Sequence, residues 1–446
     1  MLQFPQVLPW EGYAKLCEEY GDMIYLKAPG QGILVLGSKQ RTVDLLDKRA
    51  ANYSDRPAFP ITELMDFTWT FGLMPYGLRW RQHRRAFHQY LNNNAVKIYH
   101  PIMHEETKSF LRKVKSQPDD IFEHVQFLFG TEIMRVAYGF DDIRRNEELI
   151  HNAEALIVGF ADAVVPGRYL VNIFPSLKHV PSWFPGAGFK RFLGSLASRH
   201  ATQANGKKGS HPSMAADLID RLPEDSDLSR AEVESIARNV CGIAYVAGAE
   251  TTVNLALALL YVLASYPDIQ SKGQTEIDSV VGLDRLPAVT DIQDLPYVHA
   301  IVKEVGRWFT VVPLGVPHSN SEDDEYDGFF IPKGTIIFQN NWTMMHNPDV
   351  FDKPFEFIPE RYLKDDQIDP SVPDAEAAAF GHGRRNDALF LMAASLLATY
   401  TLTAGKDEAG GTVPLKLQSQ NPSVSKPAPF ECQITLRPGR ERLLLE

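Results

Sequence analysis

The longest apolar stretch of the chain runs from Ala231 to Tyr266, and no proline interrupts it before Pro267. From Val240 to Leu263 it is apolar on nearly every side, so the pattern predicts one long helix buried inside the protein. A helix of this length spans roughly 50 Å, which is enough to cross a whole domain. Ser229 and Glu232 have the spacing of a capping box at its start.

Polar residues interrupt this helix at its middle, where residues 247–252 read Ala-Gly-Ala-Glu-Thr-Thr. Buried carboxylates and hydroxyls are costly unless they are paired, so the break indicates a site that moves protons. A core helix whose threonines bond back to the preceding turn is the ordinary alternative. The length would also suit a membrane span, but Glu250, Thr251 and Asn254 at its centre argue against one.

The rest of the chain shows helical periodicity with a few short strand-like runs. Met23–Leu26 and Ile33–Leu36 flank a Pro-Gly pair and predict a hairpin. Further strands are expected at Val311–Val316, Phe329–Ile331, Thr335–Gln339 and Phe430–Leu436, and an apolar helix at Ala388–Tyr400. The sequence therefore predicts a mainly α protein with a small β-rich lobe (α+β). We expect one domain over residues 1–446, with its β-rich parts near 23–37, 311–340 and 428–440.

Composition narrows the class of protein. The chain has 44% apolar and 23% charged residues, and its net charge of −11 argues against nucleic acid as a partner. Three cysteines lie far apart, so neither a disulfide framework nor a zinc cluster is indicated. Residues 1–20 contain no signal-peptide run and no anchor, so the chain as written is expected to be soluble or peripheral.

Two clusters of charged residues are candidate sites. Arg79–Arg85 is a dense basic run, which is usually a solvated helix face. Trp80 and Arg84 are four residues apart, so they share a helix face and could instead bind a carboxylate. His100 and His104 have a metal-ligand spacing, but Pro101 makes a helix start the better interpretation.

The second cluster combines two distant stretches. Glu304 and Arg307 are three residues apart among apolar neighbours, and Arg361 could join them. A lone pair of this kind is most often a surface ion pair.

Phe380–Arg385 is a loop with two glycines that precedes the apolar helix, and two glycines are too few to predict a phosphate site.

Taken in order, these motifs resemble those of the cytochrome P-450 family of haem-thiolate monooxygenases, and fungal members in particular. The resemblance covers nearly the whole chain. The matching motifs are Trp80-x-x-x-Arg84, Ala247-Gly248-x-Glu250-Thr251-Thr252, Glu304-x-x-Arg307, Phe357-x-Pro359-Glu360-Arg361 and Phe380-x-x-Gly383-x-Arg385. It implies a P-450-like fold around one long central helix.

The resemblance also implies roles for individual residues. Glu250 and Thr251 look like the acid–alcohol pair that delivers protons during oxygen activation, and Glu304, Arg307 and Arg361 look like a buried charge triad. Partners of haem b are expected at Trp80, Arg84, His318, Phe380, Gly383 and Arg385. A hydrophobic substrate pocket is expected at Phe67, Trp69, Tyr245 and Val312, which are equally suited to an ordinary core.

By the same resemblance, the expected activity inserts one oxygen atom from O2 into a hydrophobic small molecule, either a secondary metabolite or a xenobiotic. Electrons would come from NADPH-cytochrome P-450 reductase, for which Arg79–Arg85 is a candidate docking face. The family also implies a monomer at the cytosolic face of the endoplasmic reticulum.

One departure from the family pattern concerns the iron ligand. The family's thiolate cysteine comes two residues after the position of Arg385, where this chain has Asp387. Asn386-Asp387 continues directly into Ala388 without the family's glycine, which resembles a short deletion. We interpret it as an incomplete sequence, such as a misjudged exon boundary. We expect Asp387 to cap the following helix, and His382 could reach iron only with different chemistry.

Two other functions remain open for this chain. A non-catalytic protein that binds hydrophobic ligands would keep the fold without the iron ligand. A haem-thiolate isomerase or lyase would not need oxygen activation, and the Glu250–Thr251 pair weighs against it.

Overall fold

A computed structural model gives the fold of the chain. It describes residues 5, 7–28, 30–92, 94–140, 159–160, 162–163, 169–172, 174–181, 212–224, 227, 229–374, 387–405 and 424–444.

Helices make up most of the described chain. They are α1 (Pro9–Tyr20), α2 (Lys39–Thr42), α3 (Ala50–Tyr53), α4 (Pro60–Leu64), α5 (Leu78–Tyr90), α6 (His100–Ser116), α7 (Ile121–Tyr138), α8 (Met214–Asp220), α9 (Arg230–Ser265), α10 (Pro267–Val280), α11 (Pro296–Trp308), α12 (Asn341–Met345) and α13 (Asp387–Thr399). A π-helical turn, Val43–Lys48, and short 3-10 turns connect some of them.

The strands are short and form small sheets. They are β1 (Met23–Ala28), β2 (Gln31–Leu36), β3 (His318–Ser319), β4 (Asp324–Tyr326), β5 (Phe329–Ile331), β6 (Ile336–Gln339), β7 (Leu363–Lys364), β8 (Gln367–Ile368), β9 (Tyr400–Ala404) and β10 (Cys432–Leu436). One sheet has the order β1-β2-β6-β3, in which only β2 and β6 run parallel. The antiparallel pairing of β1 with β2 is the predicted hairpin, and the mainly helical prediction is confirmed.

Helix α9 is the long central helix that the apolar pattern predicts. Along its second half, Val253–Leu260 is almost continuously buried. Its start differs from the prediction, because the Ser229 hydroxyl makes no capping hydrogen bond and its backbone is already helical. The Asp227 carboxylate accepts the Ser229 N–H instead, at 2.7 Å. The predicted capping box is therefore wrong, because the Asp227 carboxylate, and not the Glu232 side chain, accepts the Ser229 N–H.

Two apolar clusters pack against the two halves of α9. The second half packs with α6, α7, α11 and α13 in the largest cluster, and Tyr245, Val246 and Ala249 of the first half belong to a second cluster that includes residues of α1, β1, β2 and β6. Within the described chain, α9 is long and apolar enough to span a membrane, but 67% of its most apolar window is buried in the fold. Burial of this kind is typical of a core helix in a compact domain.

The strand predicted at Val311–Val316 is wrong, because this segment is a turn. The Gly315 N–H donates to the Val312 carbonyl at 3.1 Å, and Gly315 adopts a positive φ of 62°. Glycine tolerates this left-handed backbone, which cannot continue a strand, and Pro313 lacks the N–H that a sheet requires. Pairing with β6 begins only at His318.

Candidate functional site

The centre of α9 keeps its helical hydrogen bonds through the polar break. The Thr251 hydroxyl donates to the Ala247 carbonyl and the Thr252 hydroxyl donates to the Gly248 carbonyl, each at 2.9 Å. Both hydroxyl protons are therefore held by the preceding turn, as in many core helices. Each hydroxyl oxygen can still accept a hydrogen bond from a bound molecule.

The Glu250 carboxylate is buried, with 7% of the residue exposed. Its Oε1 lies 3.6 Å from the Nζ of Lys426, which is itself partly buried. Opposite charges at this distance stabilise each other more in a buried setting than in water. Lys426 belongs to a stretch without helical or strand periodicity, so the sequence carried no signal that it would approach Glu250.

The two predicted carboxylate donors on α5 differ in exposure. Trp80 is partly buried, and its ring lies 5.3 Å from that of Tyr76. Arg84, one turn further on, is exposed. Trp80 and Arg84 lie one turn apart on α5, as predicted. The exposed guanidinium of Arg84 is available to a ligand or a partner protein.

His318 lies at the start of β3, next to Arg56. Its Nδ1 is 2.9 Å from the Tyr53 carbonyl, so Nδ1 carries the proton. Burial, reinforced by the Arg56 charge, lowers the pKa of His318 to about 3. The ring is thus neutral at pH 7 in this structure, and a carboxylate bound next to it would favour its protonated form.

Arg56 supplies the positive charge at this place, although sequence reasoning did not select it. Its Nη1 donates to the carbonyls of Val316 and Pro317 at 2.8 and 2.7 Å. Burial lowers its pKa to about 10, which leaves it cationic at pH 7. A single arginine in an Asp-Arg-Pro sequence has no periodic pattern that would have marked it.

Three predicted haem-binding residues, Phe380, Gly383 and Arg385, lie outside the described residues, as do His382 and Asn386. Asp387 is the first described residue of α13. Asp387 is therefore inside the helix rather than its cap, where its charge still favours the helix N-terminus. Its Oδ2 lies 3.2 Å from Nε2 of His100, so the structure pairs His100 with Asp387.

The structure brings the predicted charge triad together in the interior. Glu304 and Arg307 are each 0% exposed. Arg307 donates to both Glu304 oxygens, at 2.7 and 2.8 Å, and Arg361 Nε donates to Oε1 at 3.1 Å. The remaining Arg307 donors reach backbone carbonyls, including those of Met345 and Pro354. Burial of a fully hydrogen-bonded triad excludes the alternative of a surface pair.

The predicted substrate-pocket residues do not form one group. Phe67, Trp69 and Tyr245 pack in the cluster around the first half of α9, with the rings of Phe67 and Trp69 5.6 Å apart. Val312 packs against the other cluster.

A separate cavity of about 700 Å³ lies beside the polar break of α9, between α6, α7 and α13. Ala247, Gly248 and Thr252 line it, and none of the four predicted pocket residues is among its described lining. The cavity therefore reaches the polar break of α9, but neither Glu250 nor Thr251 is among its described lining residues.

The residues present do not fit a haem-thiolate centre. Burial raises the pKa of Cys241 to about 12, that of Cys432 to about 11 and that of Cys17 to about 11, with nearby acids adding to the last shift. The three thiols lie on α1, on α9 and in β10, and none stands at the position of the family's thiolate ligand, where this chain has Asp387. Arg56, Trp80 and Arg84 suit carboxylates, so the mismatch concerns the iron ligand alone.

Comparison with known proteins places this architecture in one family. The family model described as Cytochrome P-450 matches residues 1–386. Cytochrome P-450 monooxygenase COX1 of Coprinopsis cinerea is 49% identical over 469 residues, covering 100% of this chain and 90% of the relative.

Further fungal relatives are less similar, and their alignments cover slightly less of each chain. COX2 of the same fungus is 39% identical, over 97% of this chain and 86% of its own. The monooxygenase ple1 of Rhodocybe pseudopiperita is 34% identical, over 98% and 87%. With the helical fold around α9 and matches over almost its whole length, the chain belongs to the cytochrome P-450 monooxygenase family, a family of oxidoreductases.

Proposed function

We propose that the complete natural protein is a haem b-dependent monooxygenase and that this chain lacks the short segment carrying the axial cysteine. The main observation in support is that the family match ends at residue 386, directly before Asp387. This is the junction at which the family's cysteine and glycine are missing from the sequence.

The alignment with COX1 supports the same proposal. It extends over 469 residues, whereas this chain has 446 and is covered completely. The relative therefore carries additional residues inside the aligned region. A missing internal segment accounts for such a difference better than a single substitution of cysteine by aspartate.

In the complete protein, one oxygen atom from O2 would enter a hydrophobic small molecule, either a secondary metabolite or a xenobiotic. Glu250 and Thr251 would hold and pass protons, since a buried acid lies next to a hydroxyl on one helix. Trp80, Arg84, His318 and Arg385 would bind the haem carboxylates, with Arg56 beside His318, and Phe380 and Gly383 would contact the haem. A hydrophobic substrate would contact Phe67, Trp69, Tyr245 and Val312.

We also propose that α5 docks NADPH-cytochrome P-450 reductase. Arg79, Arg81, Arg84 and Arg85 are all exposed on this helix, in a chain of net charge −11. A concentrated positive patch steers an acidic partner to one face. The protein would act as a monomer and a single domain, at the cytosolic face of the endoplasmic reticulum.

The test compares two purified proteins supplied with haem. One is the chain as given, and the other carries the residues of COX1 inserted between Asn386 and Asp387. We expect the thiolate signature in the absorption spectrum of the reduced, CO-bound protein only after insertion. Oxygen insertion with NADPH and reductase should likewise need the insertion. A thiolate spectrum from the chain as given would overturn the proposal.

The second candidate is a non-catalytic protein that binds hydrophobic ligands. The residue at the family's ligand position favours it for the chain as written, because Asp387 stands there instead of a cysteine. It would be supported if the inserted protein still failed to bind haem. A haem-thiolate isomerase or lyase is less well supported, because it has no need of the buried Glu250 beside Thr251.

A further inference from the structure

Helix α5 carries the basic face proposed to dock the reductase, but its own sequence disfavours a helix. Gly77 stands at its start without a capping side chain, and the first turn contains no acidic residue. Arg79 near the N-terminus opposes the helix dipole, and Arg81 and Arg85 are like charges four residues apart. Isolated helices shorter than about 12–15 residues are already marginal in water. Contacts with the rest of the fold must therefore hold α5 in place.

The contacts that hold α5 come from one narrow side of the helix. Of its 13 residues, only His83 and Phe87 are buried, and their spacing of four places them on the same face. The ring of Phe87 packs edge-on against that of Phe71, with 5.2 Å between the ring centroids. His83 is the polar member of this face, and 1% of the residue is exposed.

His83 connects α5 to the central helix through its two ring nitrogens. Its Nδ1 lies 2.8 Å from the carbonyl oxygen of Arg79, so Nδ1 carries the proton and donates it to that carbonyl. Nε2 then has a free lone pair, and the side-chain amide of Asn239 on α9 donates to it at 3.0 Å. Burial lowers the pKa of His83, which keeps the ring neutral and Nε2 an acceptor at pH 7. Asn239 is also buried, so water does not compete for this hydrogen bond.

Two further side-chain contacts hold α5, but they are more accessible to water. Gln82 donates to Glu232 of α9 at 3.3 Å in an exposed position. Tyr90, the last residue of α5, donates to Asp217 of α8. Water can replace a lost partner at an exposed position, whereas a buried group that loses its partner stays unsatisfied. The hydrogen bond between His83 and Asn239 is therefore the contact that fixes the middle of α5.

We propose that His83 is a positioning residue for partner docking, which holds α5 on α9 through Asn239 and so presents the arginines of α5 in a fixed arrangement. This inference rests on the proposal that α5 docks NADPH-cytochrome P-450 reductase. Arg81 and Arg85 are each two residues from His83, which places them on the opposite side of the helix. A face that is already ordered loses less conformational entropy on binding than one that must first be ordered. His83 therefore acts on docking without contacting the partner.

The experiment measures the affinity of the full chain for the purified soluble domain of NADPH-cytochrome P-450 reductase by surface plasmon resonance. His83→Leu removes the acceptor and should raise the Kd about tenfold. His83→Gln keeps an acceptor near the position of Nε2 and should return the Kd to within about twofold of the parent value. His88→Leu is the matched control, because the same change is made at an exposed position of α5 and should leave the Kd unchanged.

Amide hydrogen exchange separates positioning of α5 from a general loss of structure. In His83→Leu, exchange should become faster in α5 and keep the parental rate in α11, which belongs to a different apolar cluster. Asn239→Leu should reproduce both effects. The two changes together should weaken docking no more than either alone, because they break the same hydrogen bond.

Arg81→Glu tests the docking face independently, since Arg81 is exposed on α5. If this variant binds the reductase like the parent, or if the parent does not bind, α5 is not the docking face, and the docking proposal falls together with this inference. If Arg81→Glu weakens binding whereas His83→Leu binds like the parent, only the inference is overturned. Faster exchange of α11 in His83→Leu would also overturn it, because His83 would then hold the whole fold and not α5 in particular.

Discussion

The Glu250 carboxylate, buried in the middle of α9, lies 3.6 Å from the ammonium group of Lys426. The two residues are far apart in the sequence, and their contact connects the polar break of α9 to the segment before β10. A partly buried ion pair of this kind stabilises the fold when intact, and loss of one partner leaves the other charge in a poor environment.

A double-mutant cycle measures this contact. Lys426→Met should destabilise the chain by about 1–3 kcal/mol, and the same change in a Glu250→Gln background should cost less, with a coupling of at least about 0.5 kcal/mol. Urea unfolding of the four proteins provides the free energies. Strict additivity would show that the contact contributes nothing.

Glu304 should be among the most sensitive positions for stability. Glu304→Ala leaves two guanidinium groups, Arg307 and Arg361, without their shared carboxylate, so we expect a loss of roughly 3–5 kcal/mol. Glu360→Ala is the control, because Glu360 pairs with Lys272 in an exposed setting and should cost about 1 kcal/mol or less. Thermal and urea unfolding test both, and an unchanged melting temperature in Glu304→Ala would contradict the assigned triad.

Burial of Glu132 on α7, with a smaller contribution from Glu106, raises its pKa to about 8, which affects stability as pH changes. Between the ordinary glutamate pKa and about 8, the folded chain holds a proton here that the unfolded chain has released, so this group makes stability fall as pH rises. Glu132→Gln removes that loss. As pH rises, the free energy of unfolding of the variant should increase relative to that of the parent by up to about 1.4 kcal/mol per pH unit. This difference should become constant above about pH 8.

Urea unfolding at several pH values checks this prediction. Glu123→Gln, on the exposed face of the same helix, should follow the parent at every pH. A constant difference between Glu132→Gln and the parent from pH 5 to 8 would show that Glu132 titrates normally, so its burial would not control its charge.

Arg84 should matter for haem retention once the missing segment is restored. Arg84→Ala in the inserted protein should speed the transfer of haem to apomyoglobin by about tenfold, because a bidentate donor to carboxylate is lost. Arg85→Ala is the matched control, since both residues are exposed neighbours on α5. Equal haem loss from the two variants would assign Arg84 to the protein surface alone.

The sequence predicted the features that depend on periodicity. The apolar run marked α9, the Pro-Gly turn marked the β1–β2 hairpin, and the spacing of Glu304 and Arg307 placed them on one helix face. These features follow from interactions close in the chain, or from apolar patterns that burial enforces.

Sequence periodicity could not predict the features that depend on contacts between distant segments. Lys426 reaches Glu250, and Arg56 reaches the segment before β3, from stretches that have no regular period. The turn at Gly315 replaced a predicted strand because glycine permits a positive φ whatever the apolar content around it. His318 was expected to be a donor, but its charge depends on burial and on Arg56, which only the fold reveals.

The central claim is that a segment with the axial cysteine is missing between Asn386 and Asp387. Sequencing the mature transcript across these two codons tests it most directly. We predict additional codons that include a cysteine and a glycine and keep the reading frame. A transcript that joins the two codons directly would contradict the claim, and the chain would then be a P-450 fold without a thiolate ligand for iron.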